Sequence, residues 1–187
     1  VLALVRSGDF AHAGEEEAIE MTLSKTAKDP ERRLLDAGCG RGGTAAYMQA
    51  QGWGQVTAFD IEAESVAVAR QAYPQLAFLT CDILKLPQKL GPDFALITLF
   101  NVLYAVPDHA GALAALATAA APAAELLIFD YTRPGGPDQD ADEADFMPSV
   151  ARLDKLPGHL EDAGWQLQEI EDISDAYVRW YRAFVAQ

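Results

Sequence analysis

Residues Arg33–Met48 read RLLDAGCGRGGTAAYM. Leu34 and Leu35 lead through Asp36 into Gly38-Cys39-Gly40-Arg41-Gly42-Gly43. A short apolar run stopped by glycine is the pattern of a buried strand, and Gly42 to Gln51 carries Ala, Tyr and Met at helical spacing. A G-x-G-x-x-G run between a strand and a helix lets backbone amides approach a nucleoside-containing ligand, because glycine has no Cβ to hold the ligand away. Asp60 ends the next apolar run, where an acid that accepts both ribose hydroxyls belongs. Asp36, two residues before the first glycine, repels a pyrophosphate and suits an ammonium group. The loop amides and the start of the following helix remain open to a carboxylate. A nicotinamide or flavin dinucleotide and a purely structural glycine turn are the competing readings.

Outward from this loop, strands and helices alternate. Strands are predicted at Gln55–Asp60, Leu76–Asp82, Asp93–Phe100, Ala124–Asp130 and, with polar alternation, Trp165–Asp172. Helices are predicted at Glu15–Thr26, Glu62–Tyr73, Asp108–Ala121 and Pro148–Ala163. Residues 174–186 read two ways. Tyr177, Trp180, Tyr181 and Phe184 have helical spacing with Ser174 as a cap, yet the same residues tolerate a final strand. Continuous apolar strands separated by helices predict an α/β protein: a Rossmann-like, mostly parallel sheet with helices on both faces, six strands and an open seventh. Residues 1–187 are expected to form one domain. Ligands of such sheets sit beyond the carboxyl ends of the strands. Asp36, Asp60, Asp82, Asn101 and Asp130 stand there.

Acids outnumber bases 28 to 14, a net charge of −14. This excludes the basic footprint that nucleic acid or an anionic membrane surface needs. Ala110 to Ala124 is broken by Pro122 and is too weakly apolar to span a bilayer. The opening VLALVRSGDF meets a charge at Arg6 and shows no signal-peptide pattern. Two cysteines, Cys39 and Cys81, make no disulfide framework, so a reduced, cytoplasmic setting is expected. No metal cluster is expected, and nothing in the sequence sets an oligomeric state. His109 and His159 read as helix-surface residues. Pro134–Asp145 carries five acids in its last eight residues and reads as a solvated loop or a mobile lid.

DAGCGRGG at 36–43, AFDI at 58–61, CDI at 81–83 and FNVLYAVPD at 100–108 together resemble the class I S-adenosylmethionine (SAM)-dependent methyltransferases. The motifs follow that family's order and spacing across roughly residues 33–130. The resemblance implies SAM as cofactor. Gly38 and Gly40, with Cys39 between them, would admit it closely. Asp36 would face the methionyl ammonium, Asp60 the ribose, and Ile61 the adenine ring. Asp82 would take the adenine amino group and the Ile83 amide a ring nitrogen, with Cys81 beside them. Phe100 and Asn101 would line the methionine and its methyl.

Ser7 to Glu20 resembles the segment before the sheet in sarcosine/dimethylglycine- and phosphoethanolamine-type methyltransferases. This implies that residues 1–30 cover the cofactor through Phe10, His12 and Gly14. The implied reaction is direct displacement onto a small-molecule acceptor, bounded by Phe10 to His12, Asn101 to Tyr104 and the segment after Asp130. Residues 131–147 would form a substrate lid. Tyr104, His12 and Asn101 are the catalytic candidates. Asn101 and Tyr104 share the ends of the N-P-P-Y signature of planar-nitrogen methylation, but both prolines are missing. Two alternatives stand beside this reading. An NAD(P)-dependent oxidoreductase is opposed by Asp36, and a non-catalytic SAM-binding protein would keep the same motifs.

Overall fold

The computed structural model describes residues 9–135 and 149–185. Helix α1 (Glu15–Leu23) opens with three glutamates in its first turn, where they favour the positive end of the helix dipole, and buries Ala18, Ile19 and Leu23. Then come β1 (Arg33–Ala37), α2 (Gly43–Ala50), β2 (Gln55–Asp60), α3 (Ala63–Ala72) and β3 (Ala77–Thr80). A 3-10 turn at Ile83–Gln88 leads to β4 (Phe94–Phe100), a second turn at Leu103–Ala105, and α4 (His109–Ala119). Asp108 caps α4 by accepting the Gly111 N–H at 2.8 Å. The chain continues as β5 (Ala120–Phe129), the short strands β6 (Thr132–Arg133) and β7 (Ala151–Arg152), α5 (Leu156–Asp162) and α6 (Ser174–Val185).

Five strands make one parallel sheet in the order β3-β2-β1-β4-β5. Neighbouring residues on a strand point to opposite faces. Leu34, Val56, Ala58 and Leu96 therefore pack with Ile19, Met48 and Val66 on one side. Leu35, Phe59, Ile97 and Leu99 pack with Ala112, Leu116 and Leu86 on the other. Burial on both faces is what lets these strands be apolar throughout. The α/β class and the two-sided helix cover are as expected.

Three expectations need correction, and one open reading is resolved. Trp165–Asp172 is not a strand, and among the described residues β5 is an edge. The segment is held away from β5: Trp165 donates its ring N–H to Leu113 O at 3.1 Å, and Lys25 on the α1 side draws Glu169 (2.6 Å) and Glu171 (3.6 Å). A groove of about 1560 Å³ is lined by both β5 and this segment, and Leu167 and Ile170 stay 42% and 51% exposed. Residues Ser174–Val185 form a helix, not a final strand. The carboxylate at its start is that of Asp172, which accepts the Ser174 N–H at 2.9 Å. The helix read at Pro148–Ala163 is shorter, Leu156–Asp162, because Pro157 has no N–H to give and fits only a first turn. β5 begins at Ala120, directly after α4, and its register shifts near Pro122 and the positive-φ Ala123 (60°).

Ile97 is fully buried on β4, which lies between β1 and β5. Ile97→Ala is expected to lower the unfolding free energy by about 2–5 kcal/mol, read from the midpoint of a urea melt.

Candidate cofactor and acceptor site

The loop between β1 and α2 is hooked onto the end of β2. Gly38 and Cys39 both donate to Phe59 O, at 2.8 and 3.0 Å, and Gly40 donates to Asp60 Oδ2 at 2.8 Å. Asp60 Oδ1 accepts the Glu62 N–H at 2.9 Å. Gly38 has φ 75°, and a Cβ there would lie 2.4 Å from Val102 Cγ2. A Cβ on Gly40 would meet nothing nearer than Ala11 Cβ, at 3.8 Å, so space lies open over this residue. Residues 9–13 run across the loop. Tyr73 donates to Asp9 Oδ2 at 2.8 Å, and a Cβ on Gly43 would lie 2.8 Å from the Asp9 backbone.

Asp36 is 2% exposed. Its Oδ1 accepts the Thr98 hydroxyl at 3.0 Å, and its Oδ2 is buried with no hydrogen-bond partner. Burial is the main cause that pushes this carboxyl up from 3.8 to about 7; the Thr98 bond lowers it and the charge of Asp60 raises it. An unpartnered buried carboxylate favours any cation that reaches it.

On the side of β2 and β3, Ile61 is 70% exposed at the lip of the loop. Asp82 accepts the Leu84 N–H at 3.0 Å and so begins the 3-10 turn that buries Ile83. Cys39 and Cys81 are free and buried. Burial raises both thiols, and the charges of Asp36 and Asp60 add to this at Cys39, so neither is an activated nucleophile.

At the other side, Phe100 is buried and Asn101 takes φ 55°. Asn101 Nδ2 lies 3.5 Å from the Tyr177 hydroxyl, and its Oδ1 is buried without a partner. Asp130 closes this end. Its Oδ2 accepts the amides of Val102 (2.8 Å) and Leu103 (2.6 Å), and its Oδ1 that of Tyr131 (2.8 Å). The Tyr131 and Tyr177 hydroxyls are hydrogen-bonded to each other, and Tyr104 meets the Tyr131 ring edge to face. Tyr177 and Trp180 reach Phe129 from α6.

His12 is 1% exposed and stacks on Phe100 at 5.0 Å, with Phe10 edge-on at 5.9 Å. Its Nε2 is 3.0 Å from Thr44 Oγ1 and its Nδ1 3.3 Å from Ala13 O. It thus joins residues 9–13 to the start of α2. His109 is not a plain surface residue: its Nε2 lies 3.0 Å from Leu103 O and 2.8 Å from Ser149 O. Sequence reasoning missed Thr98 and Tyr177 as neighbours of the site, while Tyr131 begins the segment it placed there. Thr98, the one polar residue within an apolar strand, carried a signal; Tyr177 carried none that distinguished it from a packing residue. The lid read at residues 131–147 falls mostly outside the described residues.

The sequence profile of a methyltransferase domain family matches residues 10–171, and the chain belongs to that family. It is 27% identical over 162 residues to an O-methyltransferase of Pyrenophora dematioidea. It is 29% identical over 168 residues to the 27-O-demethylrifamycin SV methyltransferase of Amycolatopsis mediterranei (strain S699). Each match covers 81% of this chain and 60% of the relative, so the chain spans about three-fifths of the length of these relatives. A Haemonchus contortus phosphoethanolamine N-methyltransferase, solved with phosphomonomethylethanolamine and S-adenosylhomocysteine, superposes with a TM-score of 0.84 at 16% identity, covering 100% of this chain and 48% of that one. That likeness shows the fold, a class I methyltransferase fold, and the family uses SAM.

Between 3.8 and about 7 the folded Asp36 holds a proton that the unfolded chain releases, so this group's contribution to stability falls as pH rises through that window. Asp36→Asn is therefore expected to melt higher than the parent at about pH 8 without cofactor, with the gain shrinking by about pH 5. Thermal melts at the two pH values check this.

Proposed function

We propose that this chain transfers the methyl group of SAM to a small-molecule acceptor, at a site beyond the carboxyl ends of β1, β2, β4 and β5. The observation that carries the reading is the buried, unpartnered Oδ2 of Asp36 beneath an open glycine loop. A ligand with a cationic amino end and no phosphate satisfies that oxygen, whereas a dinucleotide phosphate brought near it is repelled. The exposed Ile61 offers an apolar surface for a flat base. Asp60 keeps lone pairs for two hydroxyls after accepting one amide on each oxygen. Asp82 and the Ile83 amide are assigned to the adenine edge, with Cys81 packed behind them. Phe10, His12, Phe100 and Asn101 enclose the methionine end.

When bound, SAM supplies a methyl group on a sulfonium, and the acceptor's lone pair forms the new bond as the carbon–sulfur bond breaks. The chain's part is to align the two reactants and exclude water. Burial raises the Tyr104 and Tyr131 hydroxyls, so both stay neutral and able to donate to an acceptor oxygen. Asn101 Oδ1 accepts from an acceptor or cofactor N–H or O–H. The names of the two relatives, both O-methyltransferases, favour an oxygen acceptor. The charge of −14 argues against nucleic acid as the acceptor. No helix among the described residues is long and apolar enough to cross a membrane. Two buried free thiols suit a reducing, cytoplasmic setting.

Asp60→Ala is expected to weaken SAM binding about 10- to 150-fold, the range for lost hydrogen bonds to a charged group. Calorimetric titration of SAM, with NADH in parallel, checks the assignment. SAM affinity equal to the parent's, or preferential binding of NADH, would overturn it.

A further inference from the structure

Residues Leu103–His109 read LYAVPDH. The turn that carries Tyr104 passes through Pro107 into Asp108, the cap of α4, and His109 is the first residue of that helix. Side chains on a helix lean towards its N-terminus, so the imidazole is aimed back over the turn before it. Its Nε2 lies 3.0 Å from Leu103 O, six residues back, and 2.8 Å from Ser149 O, forty residues on. Carbonyl oxygens only accept, so Nε2 carries the ring proton and one N–H is shared between the two. We propose that His109 is a positioning residue of the acceptor site: by clamping the Tyr104 turn to Ser149 it sets where the Tyr104 hydroxyl stands. This rests on the acceptor reading above.

The ties on this turn come from three elements. Asp130, after β5, takes the amides of Val102 and Leu103 on Oδ2. Ser149 donates its amide to Tyr104 O at 3.0 Å. The His109 N–H is the third tie, and it engages the turn and Ser149 at once. Ser149 belongs to no strand or helix, so no ladder holds it. Its amide on Tyr104 and its carbonyl on His109 are what fasten it to the turn. Removing the histidine donor frees the carbonyl and leaves the Ser149–Tyr104 bond to hold alone.

Tyr104 lies between these ties. With its backbone fixed, two side-chain torsions remain, and the edge-to-face contact with the Tyr131 ring at 5.6 Å limits those. The clamp rises from a firm base, because Ala112, Leu113 and Leu116 of α4 are fully buried. A hydroxyl that donates to an acceptor has to stand within about 0.5 Å of its productive place, and a group supported from a helix keeps such a place better than one supported by a loop alone. His109 therefore acts on the acceptor through Tyr104 and not by touching it.

3-Fluorotyrosine is incorporated into the full chain, and the Tyr104 fluorine signal is assigned with Tyr104→Phe. His109→Phe keeps a ring and removes the donor; His109→Gln loses the ring and keeps an N–H at similar reach. Melting curves check folding, and His109→Ala stands in for His109→Phe if the larger ring is not accommodated. His109→Phe is expected to shift or broaden the Tyr104 signal, and His109→Gln to restore it. Tyr47 and Tyr73, bonded to Glu20 and Asp9, are the controls and stay unchanged. SAM affinity is expected to be parental in both variants. Catechol, benzyl alcohol and benzylamine are then offered with methyl-labelled SAM, and the one that the parent methylates fastest is carried through the variants. Its kcat/KM is expected to fall about tenfold in His109→Phe, the loss of one hydrogen bond, and to recover in His109→Gln, with KM for SAM unchanged. A folded His109→Phe with the parental Tyr104 signal overturns the proposal. So do equal losses in the two variants, which mark a packing role for the ring, and a displaced Tyr104 signal with parental kcat and KM, which removes the turn from the reaction. A chain that binds no SAM counts against the methyltransferase reading, and one that binds SAM but methylates none of the probes counts against these acceptor classes; in both cases the fluorine signals alone decide whether His109 sets Tyr104.

Discussion

Three consecutive amides, Gly38, Cys39 and Gly40, end on the last two residues of β2. This hook holds the loop after β1 in an open curve, and the rest of the site is arranged around it. A loop with its amides left unpaired would have to satisfy them elsewhere, since buried backbone donors rarely go without a partner. Spending them on Phe59 O and Asp60 fixes the spacing of the two strand ends. It also leaves Asp60 half satisfied, with capacity for a ligand on both oxygens. Gly38 follows from the same geometry: its positive φ turns the chain sharply, and Val102 fills the space where a side chain would have pointed.

The carboxylates at the strand ends look alike in the sequence and differ in the structure. Asp60 props the loop. Asp82 starts a turn. Asp130 gathers three amides and thereby fixes the segment after β4, including the strained Asn101. Asp36 alone is buried with an oxygen unused. That difference follows from place in the sheet. β1 is the central strand, so its carboxylate is covered on all sides, while the others lie at loop mouths with backbone donors in reach. The one with nothing to bind is the one that a cationic ligand group would stabilise most, and on the proposed reading it sets the preference for SAM over a phosphate-bearing cofactor.

The proposed acceptor side is built from segments far apart in the chain. Phe129, Tyr131, Tyr177 and Trp180 meet because α6 returns across the end of β5. Trp180 also packs where a side chain on Gly14 would lie, within 2.6 Å, so the segment before α1 and the last described helix meet over the same end of the sheet. On the proposed reading, the cofactor cover and the acceptor wall therefore share one aromatic cluster.

The strand–glycine–helix pattern at Arg33–Met48 and the continuous apolar runs were enough to read a parallel, doubly covered sheet, and the acids that end them marked its carboxyl edge as the candidate site. These features are local: a strand's periodicity and a glycine's missing Cβ act within a few residues. The candidate site on the cofactor side was legible for the same reason, because each residue lies in or next to the motif that announces it. What only the tertiary structure decided depends on partners distant in the chain. Trp165–Asp172 alternates as a strand should, yet it has no ladder, because a strand exists only where a neighbour pairs with it. Residues 174–185 suited helix and strand equally by pattern, and packing of Tyr177 and Trp180 on Phe129 selected the helix. The two arginines of the small ladder, read along the chain, are 19 residues apart; register alone sets them side by side.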